Sequence, residues 1–203
     1  MTSFLSEPIV LASTSATRHR ILENASVPFE AVRHFVDEEE IKLSLIKDQI
    51  SGGDIAVVLA EQKARYVSRQ RPGCLIVGAD QTLELEGRIF NKPENIKEAR
   101  LQLTELRGSE HVLYSCVCVV RDQERLWHQL DRARLTMRNF SDEFLQDYIE
   151  SMGDKLLYGP GGYQIEGLGA QLFTKVVGDY FTILGLPLNP LLNFLRLRGA
   201  LKT

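Results

Sequence analysis

A hydroxyl-rich turn near the N-terminus combines residue types that could do chemistry. The short β-branched apolar run Ile9–Leu11 predicts a buried strand, and Ser13, Thr14 and Ser15 follow it within a few residues. Ser15 is positioned to cap a helix that begins at about Ala16. Backbone N–H groups at such a helix start favour anions. An ordinary capped helix with a solvated basic face is an equally good interpretation of these residues alone.

Three charged side chains lie at positions where the sequence pattern restricts their surroundings. Lys63 falls on the apolar face of a predicted helix, Asp54–Arg69, so it either snorkels to the rim or reaches into a cleft where a phosphate replaces its water. Asp80 follows the buried run Leu75–Val77, which predicts a carboxylate at the C-terminal end of a strand, where open α/β sheets bind ligands. Capping of a turn is the alternative for this aspartate. Lys92 precedes a proline, which restricts it to an extended backbone.

The remaining chain supplies elements that could position these residues. Strands are predicted at Pro28–Val32, in a hairpin over Leu83–Phe90, in an antiparallel pair formed by His111–Arg121 and Glu124–Met137, and at Leu172–Val177. Asn95 and Ser141 are each predicted to cap a helix, and a last helix runs through Leu191 and Leu197. The acidic run Asp37–Glu40 predicts a solvated loop or a helix start, and Gly159–Gly162 predicts a flexible turn.

Composition limits the classes of partner and compartment. Hydrophobic residues make up 44% and charged residues 25% of the 203, which is typical of a soluble globular protein. The net charge of -3 argues against nucleic acid or an anionic membrane as the main partner, because such binding needs an excess of cations. The start has no signal-peptide pattern and no apolar run is as long as a membrane span, so the cytoplasm is expected. The sequence has four histidines without paired spacing and three cysteines, which are expected to be reduced. This pattern argues against a zinc site.

Seven short motifs in order along the chain resemble the Maf nucleotide pyrophosphatases. The matching stretches are Leu11-Ala-Ser-Thr-Ser-x-x-Arg18, Val36-Asp-Glu38, Ala60-Glu-Gln-Lys-Ala64, Gly78-Ala-Asp80, Lys92-Pro93, Glu166-Gly167 and Gly185-Leu-Pro187. Each motif is weak alone, but their joint order and spacing extend over nearly the whole chain.

The resemblance implies a fold and an activity. It implies one domain over residues 1–203, of the α/β class, with a mixed, strongly curved sheet, outer helices, a deep cleft between two lobes and a homodimeric assembly. The implied reaction hydrolyses a nucleoside triphosphate to the monophosphate and pyrophosphate with a divalent cation, Mg²⁺ or Mn²⁺, and removes modified nucleotides from the pool.

The resemblance also implies roles for individual residues. Asp80 matches the family's proton acceptor, and Glu38 matches an acidic position near the metal, which Asp80 would share. Phosphate handling is implied for Ser13, Ser15, Arg18, Lys63 and Lys92. These roles suit the chemistry, because a carboxylate with Mg²⁺ can activate water and fixed cations can hold the pyrophosphate leaving group.

Three positions bear on the choice of base: Thr17, Gln81 and Glu166. Family members that prefer thymidine and uridine triphosphates usually have arginine, threonine and glutamine there. Gln81 and Glu166 instead resemble the branch that prefers 7-methyl-GTP, and a carboxylate can accept the N1–H and N2–H₂ donors of guanine. Thr17 matches neither branch.

Two alternatives to a 7-methyl-GTP pyrophosphatase stay open at this point. One is the same chemistry on dTTP or UTP, and the other is a non-catalytic regulator of cell division. Tyr163 could stack on a base, although packing is the favoured interpretation, and no role is carried over to the displaced pair Asp154-Lys155.

Overall fold

The computed structural model describes residues 7–202, and a seven-stranded mixed sheet lies at its centre. The strand order is β2-β1-β3-β5-β6-β7, with β4 paired to β3, and the sheet is not closed. β1 pairs in parallel with β2 and β3, and the other pairs are antiparallel. The strands are β1 Ile9–Leu11, β2 Glu30–Ala31, β3 Leu75–Leu85, β4 Arg88–Phe90, β5 Glu110–Arg121, β6 Glu124–Met137 and β7 Phe173–Val177.

Seven α-helices and three 3₁₀ segments flank this sheet in the described part of the chain, which confirms the predicted mixed α/β class. The predicted N-caps Ser15, Asn95 and Ser141 each accept a hydrogen bond from the backbone N–H three residues later. The α-helices are α1 Ala16–Asn24, α2 Glu38–Lys47, α3 Gly52–Ser68, α4 Ile96–Leu106, α5 Asp142–Met152, α6 Tyr180–Ile183 and α7 Leu188–Leu197. The 3₁₀ segments are Gly153–Leu157, Pro160–Gly162 and Gly167–Leu172.

Several local predictions differ from the structure. The strand expected at Pro28–Val32 shrinks to the two residues of β2, which pair only with β1 at the sheet edge. The acidic run starts α2, where the side chain of Asp37 caps the helix, so the helix-start alternative is the correct one. α6 was not predicted, because four residues are too few to show a helical period.

The prediction that a strand ends at Asp80 is wrong. β3 continues to Leu85, because β5 pairs with it in antiparallel register from Ile76 to Glu84. The parallel partner β1 does stop at Leu11, opposite Val77. Asp80 therefore lies in the middle of its own strand, but beyond the end of the neighbouring parallel strand.

The apolar core is divided at this point of β3. Leu75 to Ala79 contribute to two clusters on opposite faces of the sheet, one against α1 and α7 and the other against α3. Leu83 and Leu85 belong to a third cluster, built with α4 and α5. The polar residues Asp80 and Gln81 thus lie between two separately packed halves.

Helix α3 approaches β3 closely at Gly78. A Cβ atom built on this glycine would lie 2.2 Å from the carbonyl oxygen of Ala60 and 2.8 Å from Cβ of Ala64. Only glycine allows this approach, and it places the middle of α3, including Lys63, directly over Asp80.

Within residues 7–202, no helix is long and apolar enough to cross a membrane. Cys74, Cys116 and Cys118 are free, and the last two are buried on one face of β5, as predicted. Burial raises the pKa of the Cys118 thiol to about 12 and also raises that of Cys116.

Candidate active site

A buried lysine joins two carboxylates at the boundary between the two packed halves. Lys63 Nζ lies 2.5 Å from Asp80 Oδ1 and 2.7 Å from Glu38 Oε2. Lys63 is only 3% exposed and Asp80 5%, so this lysine does not snorkel to the rim. A buried ammonium needs such partners, because desolvation without them is costly. The apolar face of α3 therefore delivers a cation into the site, which was one of the two predicted alternatives.

Glu38 enters the site from the first turn of α2. Burial alone would raise the pKa of its carboxyl, but Lys63, Lys92 and His34 together outweigh burial and lower the pKa. His34 Nε2 lies 3.6 Å from Glu38 Oε1. Burial lowers the pKa of His34, and Lys63 lowers it further. His34 was not among the predicted site residues, because a single histidine in a loop is not a recognisable motif.

The serine-rich turn is organised by its own side chains. Ser13 Oγ accepts a hydrogen bond from the N–H of Ser15 at 3.2 Å, and Ser15 Oγ accepts one from the N–H of Arg18 at 3.4 Å. His19 Nε2 lies 2.8 Å from the carbonyl oxygen of Ser13. The predicted strand, turn and capped helix are all present, with Ser13 buried at the base of the turn.

Arg18 connects this turn to the opposite wall of the cleft. Its Nε donates to the carbonyl oxygen of Gly185 at 2.9 Å, just after α6. Burial lowers the pKa of Arg18, whereas the carboxylates of Asp80 and Glu38 act in the opposite direction. The guanidinium thus lies near enough to both acids for their charges to raise its pKa against the effect of burial.

Lys92 completes the set of cations from the segment that follows β4. Lys92 is an exposed residue, yet its ammonium lies in surroundings that lower its pKa, first by partial desolvation and then by repulsion from Arg18. The neighbouring cation Lys63 also lowers this pKa, and Glu38 and Asp80 oppose the change. The structure therefore brings Lys92 together with Arg18, Lys63, Asp80 and Glu38.

The carboxylates of Asp80 and Glu38 could supply some, but not all, of the oxygen ligands of a divalent cation. Asp80 and Glu38 face one point, because both contact the same lysine nitrogen. In residues 7–202, no group of three or more histidine, cysteine or acidic side chains could hold a metal by itself. Mg²⁺ commonly binds to one or two carboxylates together with phosphate oxygens and waters. Two carboxylates therefore fit a cation that is bound together with a phosphorylated ligand.

The three proposed base-selecting positions lie in different surroundings. Gln81 Nε2 donates to Ser115 Oγ and to the carbonyl oxygens of Thr182 and Ile183, so it holds α6 against β3. Glu166 forms an ion pair with Arg20 at the surface, and Tyr180 Oη lies 3.4 Å from Glu166 Oε1. Thr17, the third position, is half-buried in α1.

Tyr163 is a packing residue. It is 8% exposed, and its hydroxyl lies 2.7 Å from Nε2 of the fully buried His111. Burial lowers the pKa of His111 to about 4. Asp154 and Lys155 lie in the first 3₁₀ segment, where both are exposed.

The family comparison agrees with the order of these motifs. The model for Maf-like proteins matches residues 8–198. The chain belongs to the Maf-like protein family. Among its Maf-like relatives, a protein named nucleoside triphosphate pyrophosphatase from Caulobacter vibrioides is 52% identical, over 96% of this chain and 97% of the relative. A protein of the same name from Rhodospirillum rubrum is 48% identical over 98% of both chains.

A solved structure is more loosely similar to this Maf-like chain. It is titled nucleoside-triphosphatase / dITP/XTP pyrophosphatase, from Mycobacterium abscessus, and is 16% identical with a TM-score of 0.41 over 95% of both chains. The family assignment rests on the full-length relatives and not on this likeness.

Proposed function

We propose that the chain hydrolyses a nucleoside triphosphate to the monophosphate and pyrophosphate, with Asp80 as the proton acceptor. The observation that carries this proposal is the contact of Lys63 with both Asp80 and Glu38, beside Arg18. The site combines two acids with several cations, and a phosphoanhydride needs a base for water and positive charge for its phosphates. Relatives that carry the name nucleoside triphosphate pyrophosphatase support the same reaction.

Each side chain has a distinct part in this reaction. Asp80 accepts the proton of the attacking water, while Lys63 holds its carboxylate in place through Oδ1. Arg18 and Lys92, with the N–H groups at the start of α1, stabilise the charge that develops on the leaving pyrophosphate. The walls of the cleft exclude bulk water and so strengthen these contacts.

Glu38 and Asp80 would hold Mg²⁺ or Mn²⁺ together with oxygens of the triphosphate. When bound, the cation supplies Lewis-acid neutralisation of phosphate charge. Lys63 keeps the two carboxylates oriented toward each other before the substrate arrives.

We further propose that the preferred base is 7-methylguanine. Glu166 supports this choice, because a carboxylate accepts from the two adjacent donors of the guanine edge and attracts the positive charge of the methylated base. The alternative within the same chemistry is dTTP or UTP.

A pyrophosphate-release screen tests the reaction. We expect release from at least one triphosphate in a panel of canonical and modified nucleotides, with Mg²⁺ or Mn²⁺ present. Asp80→Asn should lower the rate by about 10²–10⁴-fold while nucleotide binding remains, since the amide oxygen can still accept from Lys63. Asp154→Asn, at an exposed aspartate outside the cleft, is the matched control.

The screen can also overturn both proposals. Unchanged turnover in Asp80→Asn would contradict the role of this carboxylate. No release from any triphosphate, together with a tight protein partner in a pull-down, would favour the non-catalytic regulator. Equal rates on 7-methyl-GTP, dTTP and UTP, with no change in Glu166→Gln, would contradict the choice of base.

A further inference from the structure

The carboxylate of Glu166 is held from two sides by residues on two different helices. Arg20 of α1 pairs with its Oε2, and the hydroxyl of Tyr180, the first residue of α6, lies 3.4 Å from its Oε1. All three side chains remain accessible: the side chains of Arg20 and Glu166 are 51% and 38% exposed, and Tyr180 is 50% exposed. A ligand can therefore reach this group without unfolding any part of it.

The same two helices also form the walls of the candidate active site. Arg18 of α1 donates to the carbonyl oxygen of Gly185, two residues after the end of α6. Arg20 lies three residues after Thr17, and residues at that spacing are neighbours on one face of a helix. Arg20 thus links Thr17 and Glu166, two of the positions proposed to select the base.

The hydrogen-bonding capacity of this pair is only partly used. A guanidinium has five N–H donors and a carboxylate has about four acceptor sites, and these contacts leave most donors of Arg20 and about half of the acceptor sites of Glu166 unused. Donors of Arg20 and acceptors of Glu166 therefore lie side by side on an open surface. An edge of this kind matches guanine, which presents the O6 acceptor next to the N1–H and N2–H₂ donors.

The ring of Tyr180 adds a surface for stacking. It is half-exposed, and Phe181 supports it in an edge-to-face arrangement at 6.0 Å between ring centroids. Aromatic side chains bind nucleobases through their faces, and a cationic base gains additional attraction. A base whose polar edge meets Arg20 and Glu166 would have this ring within reach.

We propose that Arg20, Glu166 and Tyr180 form one guanine-reading surface, in which Arg20 donates to O6, Glu166 accepts from N1–H and N2–H₂, and Tyr180 stacks on the base. Arg20 and Tyr180 are thereby specificity residues that the family motifs do not include. This inference rests on the proposed function, because it identifies the base of the same triphosphate substrate.

The test compares pyrophosphate release from GTP, 7-methyl-GTP, ITP and dTTP. ITP lacks only the N2 amine of GTP, so the wild type should prefer GTP by kcat/KM. Arg20→Met should lower kcat/KM on GTP by about ten-fold relative to dTTP, the order expected for the loss of one good base contact. Its effect on 7-methyl-GTP should be smaller, because Arg20 also repels the cationic base. Tyr180→Leu should reduce kcat/KM most on the methylated base.

A matched control and a double variant separate base reading from a merely structural ion pair. Arg71→Met removes another arginine that is paired to an acid, Glu30, and whose side chain is 40% exposed, and it should leave the base ratios unchanged. Arg20→Met combined with Glu166→Gln should lose less than the product of the two single effects, since both residues read one edge.

The outcomes distinguish this inference from the proposed function. Active wild-type enzyme with the same base ratios in Arg20→Met and Tyr180→Leu would overturn the guanine-reading surface and leave the pyrophosphatase intact. A uniform loss on all four substrates would also overturn it, because a structural ion pair acts on every base alike. No release from any substrate by the wild type would instead refute the proposed function itself.

Discussion

Replacement of Gly78 by alanine should both destabilise the protein and impair the site. The added Cβ would lie 2.2 Å from the carbonyl oxygen of Ala60, whereas heavy atoms in contact prefer about 3.5–4.0 Å. Helix α3 must therefore move by about 1 Å away from β3. Overpacking of this kind costs about 1–3 kcal/mol or more, and alanine regains about 0.5–1 kcal/mol in a strand. We expect a net loss of about 2 kcal/mol.

Urea unfolding measures the free energy of unfolding of the Gly78→Ala variant. Pyrophosphate release, assayed without urea, measures its activity. Because α3 carries Lys63, a displacement of about 1 Å can lower the rate by about 10²-fold even in molecules that remain folded. Gly159→Ala is the matched control, since a Cβ there has no neighbour within 4 Å and its φ is not positive. Stability of Gly78→Ala within about 0.5 kcal/mol of the wild type would refute the reasoning.

Two further predictions concern pH. Burial lowers the pKa of His111 from 6.5 to about 4, so between these values the unfolded chain binds a proton at this histidine and the folded state does not. Stability should therefore fall by about 3 kcal/mol as the pH drops from about 6.5 to 4. Urea unfolding at pH 7 and pH 4 should show this loss in the wild type and a smaller one in His111→Gln, and equal losses in both would contradict it. The lowered pKa of Glu38 gives a contribution to stability that is present above its ordinary value of 4.5 and lost as the pH falls through the folded value. Glu38→Gln should remove that part of the dependence of stability on pH. Urea unfolding of both proteins from pH 6 to pH 3 measures it, and the same slope of unfolding free energy against pH in both would contradict the prediction.

Secondary structure was most predictable where local chemistry is decisive. The caps at Ser15, Asn95 and Ser141 satisfy N–H groups within three residues, so the sequence alone contains both partners. The hairpin between β3 and β4 follows equally from its turn, where Glu86 and Gly87 both adopt positive φ. The family could also be recognised from the sequence, because the order of its motifs along the chain does not depend on any tertiary contact.

Contacts between distant segments were decided only by the tertiary structure. The length of β3 depends on β5, which supplies hydrogen-bond partners beyond the end of β1, so no pattern within β3 could reveal that Asp80 lies in mid-strand. Glu38 and Lys63 lie on different helices, α2 and α3, and only the packing of these helices brings the carboxylate to the ammonium.

The charged site itself shows the same division. Residue types and spacing indicated Lys63, Asp80 and Lys92, because a lysine on an apolar face and an acid after a buried run are costly unless they have partners. Arg18 and Glu38 were indicated only by the resemblance to the Maf pyrophosphatases. Which partners they have was not readable, since Lys63 and Asp80 are separated by 17 residues and meet through the close approach of α3 at Gly78. The sequence thus determined which groups could handle a triphosphate, and the tertiary packing decided that one ammonium joins both carboxylates and that Arg20 holds Glu166.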